Sequence, residues 1–212
     1  MNILEKALYA VIISFFIGVI LCPVFIPLLH RLKFGQNVRD DGPQTHLKKS
    51  GTPTMGGIAI LIGFTITSLL FIKGNGDGAA VMLVTLGFGL VGFIDDYIKV
   101  VKKRSLGLRA YQKMALQFII TAVFCGYMYK NVPSCTMIYI PFANRLANLN
   151  VLFIPFMFIV MLGTVNGVNL TDGLDGLAAG VTLLVAAFFL IIAWVFGSGI
   201  APIAGAVVGS LL

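Results

Sequence analysis

Half of the chain's 8 carboxylates sit in two short sequences that close apolar runs: Asp95 and Asp96 in GFIDDYIKV, and Asp172 and Asp175 in TVNGVNLTDGLDGLAAG, Thr164 to Gly180. An ionisable side chain near hydrocarbon costs about 2.5–3.5 kcal/mol on insertion scales, so acids in such places mark a site by default. Adjacent carboxylates repel. A hard cation such as Mg²⁺ removes that repulsion while keeping waters and substrate phosphate oxygens as its other ligands. Asp95 and Asp96 are followed by Lys99, Lys102, Lys103, Arg104 and Arg109, with Lys113 beyond. A candidate cation site therefore adjoins a candidate polyphosphate site. The simpler reading is an interfacial acid pair neutralised by Lys99 and Lys102, and the residues alone leave both open.

The second sequence adds two amides, Asn166 and Asn169, to its two acids. Asp172 and Asp175 are three apart and would share a face on a helix or 3₁₀ turn, with Asn169 three residues further back. Gly173 and Gly176 allow close backbone approach by a ligand, or a positive φ. Asp175 could instead cap a helix starting at GLAAG, which accounts for one acid but leaves the other acid and both amides unexplained. A third polar stretch, HLKKSGTPTMGG from His46 to Gly57, offers Thr52, Pro53 and Thr54 as a helix start and Lys48 and Lys49 as partners for phosphate or lipid headgroups. Here too a plain reading exists: a helix cap with lysines that set topology.

The elements that must position these groups are membrane helices. With 212 residues, 58% hydrophobic and only 11% charged, the chain lies far from the roughly 25% charged residues of soluble domains. It reads as one integral membrane domain over residues 1–212, all-α, a polytopic transmembrane bundle. Candidate spans are Ala7 to Leu29, Met55 to Ile72, Ala79 to Ile94, Met114 to Tyr129, Val151 to Val165 and Leu177 to Phe196, with the start of a seventh at 200–212. Pro23 and Pro27 should kink the first span or unwind its end. Glycines such as Gly87, Gly89 and Gly92 suit close helix packing in lipid. The net charge of +7 does not point to nucleic acid, because the basic residues cluster in loops. Two of those loops, His30 to Ser50 and Asp95 to Lys113, hold most of the Lys and Arg, which places them in the cytoplasm and the N-terminus outside. Counting spans puts the Thr164 to Gly176 loop on the same side, so all three polar stretches converge on one face. The segment around Pro141 and Asn144 is expected to form a short outer β-hairpin. Cys22, Cys125 and Cys135 have no metal-like spacing and read as packing residues. The first apolar stretch is too long for a signal peptide and reads as a retained anchor.

At these residues the chain resembles the polyprenyl-phosphate N-acetylhexosamine-1-phosphate transferases. HLKKSGTPTMGG and NLTDGLDGLA are similar to signatures of that family, GFIDDYIKV resembles its aspartate-rich motif, and the GTPTMGG form favours the phospho-N-acetylmuramoyl-pentapeptide transferase branch. The resemblance implies a Mg²⁺-dependent enzyme of peptidoglycan synthesis in the bacterial cytoplasmic (inner) membrane, with its active site facing the cytoplasm. It would transfer phospho-MurNAc-pentapeptide from UDP-MurNAc-pentapeptide to undecaprenyl phosphate and release UMP; a homodimer is a further expectation. By the same resemblance Asp95 would orient or deprotonate the lipid phosphate, Asp96 would lie next to the metal, and Asp175 would complete the catalytic set while reading uracil. Lys48, Lys49, Thr54, Lys99, Lys113, Asn166, Asn169, Asp172, Leu174 and Gly176 would bind substrate.

The family continues for several spans with a further metal-binding aspartate and a histidine-rich loop, for which His30 and His46 are not substitutes. On that comparison the chain reads as truncated, and a protein ending at Leu212 is expected to be inactive. Other readings are a UDP-N-acetylglucosamine-type sugar-1-phosphate transferase, a cation- or proton-coupled transporter and a structural scaffold. A transporter would favour acids near the bilayer midplane between repeated halves, whereas these acids cluster at one interface.

Overall fold

The computed structural model describes residues 1–31, 55–101 and 107–212. Within them the chain forms helices α1 (Ile3–Arg31), α2 (Gly57–Phe71), α3 (Gly76–Val101), α4 (Ala110–Asn131), α5 (Phe153–Thr171), α6 (Leu177–Val195) and α7 (Ala201–Leu211). A two-stranded hairpin, β1 (Met137–Ile140) and β2 (Arg145–Asn148), and a 3₁₀ turn at Asn150–Leu152 lie between α4 and α5. The chain is an all-α membrane bundle with one small hairpin. Among the described residues four helices are long and apolar enough to cross a bilayer, at Ile3–Arg31, Gly76–Val100, Asn150–Thr171 and Leu177–Val195. Large apolar side chains such as Phe16, Leu83, Val123, Ile159, Leu184 and Phe188 stay exposed. In lipid this costs nothing, because the tails are as apolar as the side chains.

Two sequence expectations change. Helix α1 runs unbroken through Pro23 and Pro27 to Arg31, so its end does not unwind. Each proline forfeits one backbone donor but keeps a helical φ, and membrane helices tolerate that loss. Helix α2 starts at Gly57 with Gly56 as its N-cap and no side-chain cap bond, two and four residues beyond Thr54 and Thr52, the residues expected to cap it.

The short run at the end of the sequence becomes the most enclosed helix. Nearly all of α7 is buried, and it packs on α1, α2, α3 and α6. Ala201, Gly205 and Gly209 recur every four residues and so lie along one face. This stripe admits the α1 backbone: a Cβ on Gly205 would lie 2.7 Å from the Ala7 carbonyl oxygen, and Gly209 lies against the Val11 carbonyl. Ser14 Oγ donates to the Ala206 carbonyl at 2.8 Å, and Phe64, Met82, Ile203 and Ala206 form the apolar core beside it.

Two contacts fix which loops share an end. Tyr127 Oη, near the end of α4, donates to Asp77 Oδ1 at the start of α3 at 3.0 Å. Asn75 Nδ2, between α2 and α3, donates to the Gly199 carbonyl, between α6 and α7, at 2.5 Å. The opposite end of the bundle therefore gathers the start of α2, the end of α3, the start of α4 and the turn between α5 and α6. That is the grouping the distribution of basic residues predicts.

The hairpin also forms where expected. Ile140 pairs with Arg145 across the loop at 141–144, and Tyr139 Oη donates to Asn144 Oδ1 at 2.6 Å. Phe142 and Asn144 both take positive φ there, which a four-residue reversal requires.

Candidate functional site

Asp95 and Asp96 occupy the last turns of α3 but differ in surroundings. Neighbouring helical residues project about 100° apart, so the pair does not form one two-carboxylate claw. Asp95 is buried, with 6% of its surface exposed. Its Oδ1 accepts the Leu108 amide at 2.8 Å and its Oδ2 meets Lys99 Nζ at 2.7 Å. Asp96 remains 38% exposed and holds the same ammonium at 3.0 Å. Lys99 thus bridges both acids. A lysine ammonium has three donors, and these contacts use two of them.

Gly107 makes the Asp95 contact possible. It takes φ +60°, and its α-carbon packs directly on the Asp95 carboxylate, with a Cβ there lying 2.9 Å from Lys99 Cε. Only glycine meets both the left-handed backbone and the absent space without strain.

A second cluster joins α4 to α5. Lys113 Nζ donates to Asn169 Oδ1 at 2.8 Å. One turn further along both helices, Asn166 Nδ2 donates to Gln117 Oε1 at 2.8 Å and to the Leu162 carbonyl at 2.9 Å. The reverse contact, Gln117 Nε2 to Asn166 Oδ1, is longer at 3.5 Å. Gln117 is almost fully buried and was missed by sequence reasoning. Its signal was available: a lone amide inside the apolar run MALQFIITAVF needs a polar partner just as an acid does.

The turn from Asp172 to Gly176 corrects two expectations. Asp172 is the C-cap residue of α5, with its amide bonded to the Val168 carbonyl at 3.2 Å, and the residues after it are non-helical. Asp172 and Asp175 therefore do not share a helical face. Asp175 does not cap α6 either: the N-cap is Gly176, at φ +79° and without a side-chain cap bond. Gly176 turns the chain at positive φ between the two helices, and that need outweighs the helical spacing of the acids. Asn166 and Asn169, in contrast, lie within α5. Leu174 is exposed at the tip of the turn.

Chain connectivity links the groups. Leu108, whose amide holds Asp95, precedes Lys113 by five residues, and Lys113 reaches Asn169, three residues before Asp172. Lys48, Lys49 and Thr54 lie outside the described residues.

Of the two acids on α3, Asp96 offers the kind of hard carboxylate oxygen that a cation such as Mg²⁺ takes. Asp96 supplies an exposed carboxylate, whereas both oxygens of Asp95 already have partners. Among the described residues no three potential ligands gather into a closed cage. Such a set fits an ion that draws its remaining ligands from waters and substrate phosphates.

Residues 78–212 match glycosyl transferase family 4, and residues 49–61 match the phospho-N-acetylmuramoyl-pentapeptide-transferase signature 1. The chain is 48% identical over 206 residues to the phospho-N-acetylmuramoyl-pentapeptide-transferase of Clostridioides difficile strain 630, covering 96% of this chain and 64% of that protein. It is 52% identical over 205 residues to the protein of the same name from Caldicellulosiruptor bescii, covering 96% and 63%. For the Clostridium perfringens strain 13 protein the identity is 45% over 209 residues, covering 98% and 65%. The chain spans just under two thirds of the length of these relatives.

Proposed function

The chain belongs to glycosyl transferase family 4, and from that premise we propose that it carries the transfer of phospho-MurNAc-pentapeptide from a UDP carrier to undecaprenyl phosphate, with release of UMP. The observation that carries this reading is the Lys99 ammonium held between Asp95 and Asp96 at the end of a membrane helix, with Lys113 on the helix that follows. It sets positive charge and carboxylates at the bilayer boundary, where a soluble nucleotide and a lipid phosphate can meet. The names of the three relatives support the transferred group, phospho-N-acetylmuramoyl-pentapeptide.

In the reaction, an oxygen of the lipid phosphate attacks the sugar-linked phosphorus, a new P–O–P link forms, and the bond to the UMP phosphate breaks. Phosphoryl transfer of this kind needs positioning and charge stabilisation more than covalent help from the protein. A phosphate monoester is largely ionised near pH 7, so the demand on a base is small. Asp95, pinned by Leu108 and Lys99, would orient the attacking phosphate through the Lys99 ammonium that it holds. Lys99 offers its third donor to a phosphoryl oxygen, and Lys113, held by Asn169, adds a second cation. Asp172, Asp175 and the open backbone at Gly176 would receive the nucleotide, while Asn166 and Gln117 brace the helices below. Mg²⁺ bound at Asp96 would neutralise developing charge on the phosphoryl oxygens.

The excess of Lys and Arg in the loops at this end supports a cytoplasmic orientation, and the bacterial relatives support a bacterial inner membrane. The test is UMP formation from UDP-MurNAc-pentapeptide by this chain carried within a protein of its relatives' full length, in vesicles containing undecaprenyl phosphate and Mg²⁺. UMP appearing together with a lipid-linked sugar pyrophosphate is the expected result. Absence of UMP from correctly inserted protein would overturn the reading.

A further inference from the structure

The polar contacts between α4 and α5 form a seam that runs from the interior to the open end. Gln117, Thr121 and Cys125 make the buried face of α4, and Lys113, four residues before Gln117, continues that face toward the loop. Helix α5 answers with Asn166 and Asn169, three residues apart. Exposure rises along the seam: Gln117 is buried, Lys113 and Asn166 are half-buried, and Asn169 is exposed.

The inner pair is fully engaged. Asn166 Nδ2 donates to Gln117 Oε1 at 2.8 Å and to the Leu162 carbonyl at 2.9 Å, which uses both of its hydrogens. Asn166 therefore has no donor left for a substrate. Higher up, Phe118 and Phe158 meet with ring centroids 5.0 Å apart, but apolar contact of this kind tolerates small slips because it has little directionality. A hydrogen bond between two amides does not. Sliding one helix along the other would leave both amides unpaired in apolar surroundings, which is costly.

The outer pair inherits that register. The Lys113 ammonium swings on a flexible four-carbon stem. Its partner, Asn169 Oδ1 at 2.8 Å, belongs to α5, so the register of α5 decides where the acceptor stands relative to α4. That contact uses one of three ammonium donors and leaves two. We infer that Gln117 is a positioning residue for the transfer: it fixes α5 through Asn166 and so sets where Lys113 presents its remaining donors to phosphoryl oxygens. The inference rests on the transferase reading above.

The test uses this chain within a protein of its relatives' full length, in vesicles containing undecaprenyl phosphate and Mg²⁺. Gln117→Leu should lower kcat/KM for UMP release about tenfold, within the range for a misplaced group remote from the chemistry. In a Lys113→Ala background the same substitution should cost less than about twofold, because the lysine that it positions is gone. Thr121→Val, which removes a buried hydroxyl bonded within α4 to the Gln117 carbonyl, should leave turnover near the parent value. Equal losses from Gln117→Leu in the two backgrounds, or an equal loss from Thr121→Val, would overturn the inference, since general loosening of the bundle does not depend on Lys113.

A second measurement needs no turnover. In reductively ¹³C-methylated protein the Lys113 signal, identified by its loss in Lys113→Arg, should shift with Gln117→Leu and stay in place with Thr121→Val. A signal that Gln117→Leu leaves unmoved would contradict the link. A shifted signal in a protein whose parent releases no UMP rejects the transferase and keeps the link between Gln117 and Lys113. UMP release with an unmoved signal rejects the link and keeps the transferase.

Discussion

Lys99 lies four residues beyond Asp95 on one face of α3 and places its ammonium 2.7 Å from Asp95 Oδ2. The same nitrogen is 3.0 Å from Asp96, so one cation bridges two carboxylates and leaves the trio with a net negative charge. A purely structural ion pair would need only one acid. The second carboxylate, 38% exposed, is the more accessible of the two to a cation or a phosphate-bound metal.

Asp95→Asn keeps the shape of the side chain and its acceptor for the Leu108 amide but removes the charge. UMP release is expected to fall by about 10²-fold or more, the lower range for loss of a positioned acid–base group, with little change in thermal stability. Activity within threefold of the parent protein would remove Asp95 from the chemistry.

Gly107→Ala places a methyl group against the Asp95 carboxylate at a positive φ. The backbone strain alone is about 1–2 kcal/mol, and the displaced carboxylate should lower turnover at least tenfold. Gly92→Ala is the comparison, since a Cβ there meets nothing within 4 Å, and it should leave turnover and stability close to the parent values. Equal effects from the two substitutions would rule out the Gly107 cradle.

Gln117→Leu and Asn166→Leu, made singly and together, measure the buried amide pair between α4 and α5. Each single change strands one partner, and the double change removes both. A coupling of about 1 kcal/mol in unfolding stability is expected, near the upper half of values for polar pairs within membranes. Additive effects would show that the 2.8 Å contact carries no net energy.

Gly209→Val tests the α1–α7 contact, because any side chain there meets the Val11 carbonyl. It should lower the unfolding temperature by several degrees, consistent with overpacking costs of about 1–3 kcal/mol. A variant as stable as the parent would show that α1 and α7 approach less closely.

Much of this architecture was legible because lipid imposes a simple demand: each apolar run must become a helix that satisfies its own backbone. The placement of Asp95, Asp96 and the Asp172–Asp175 turn at one end followed from the alternation of basic loops. The geometry inside that turn did not. Helical spacing pointed to a shared face for Asp172 and Asp175, but Gly176 serves a turn at positive φ that spacing does not register. Gln117 escaped because acids drew the attention that a buried amide equally warrants. The burial of α7 was hidden for a different reason. Its length argued against a span, whereas its four-residue stripe of small side chains spoke to packing.

The most direct measurement follows UMP and radiolabelled MurNAc-pentapeptide together in vesicles holding this chain within a protein of its relatives' full length, Mg²⁺ and UDP-MurNAc-pentapeptide, with and without undecaprenyl phosphate. The transferase account predicts UMP and lipid-linked sugar in equal amounts, and neither without the lipid phosphate. UMP formed at the same rate without lipid phosphate, or label carried into the vesicles with its nucleotide intact, would contradict it.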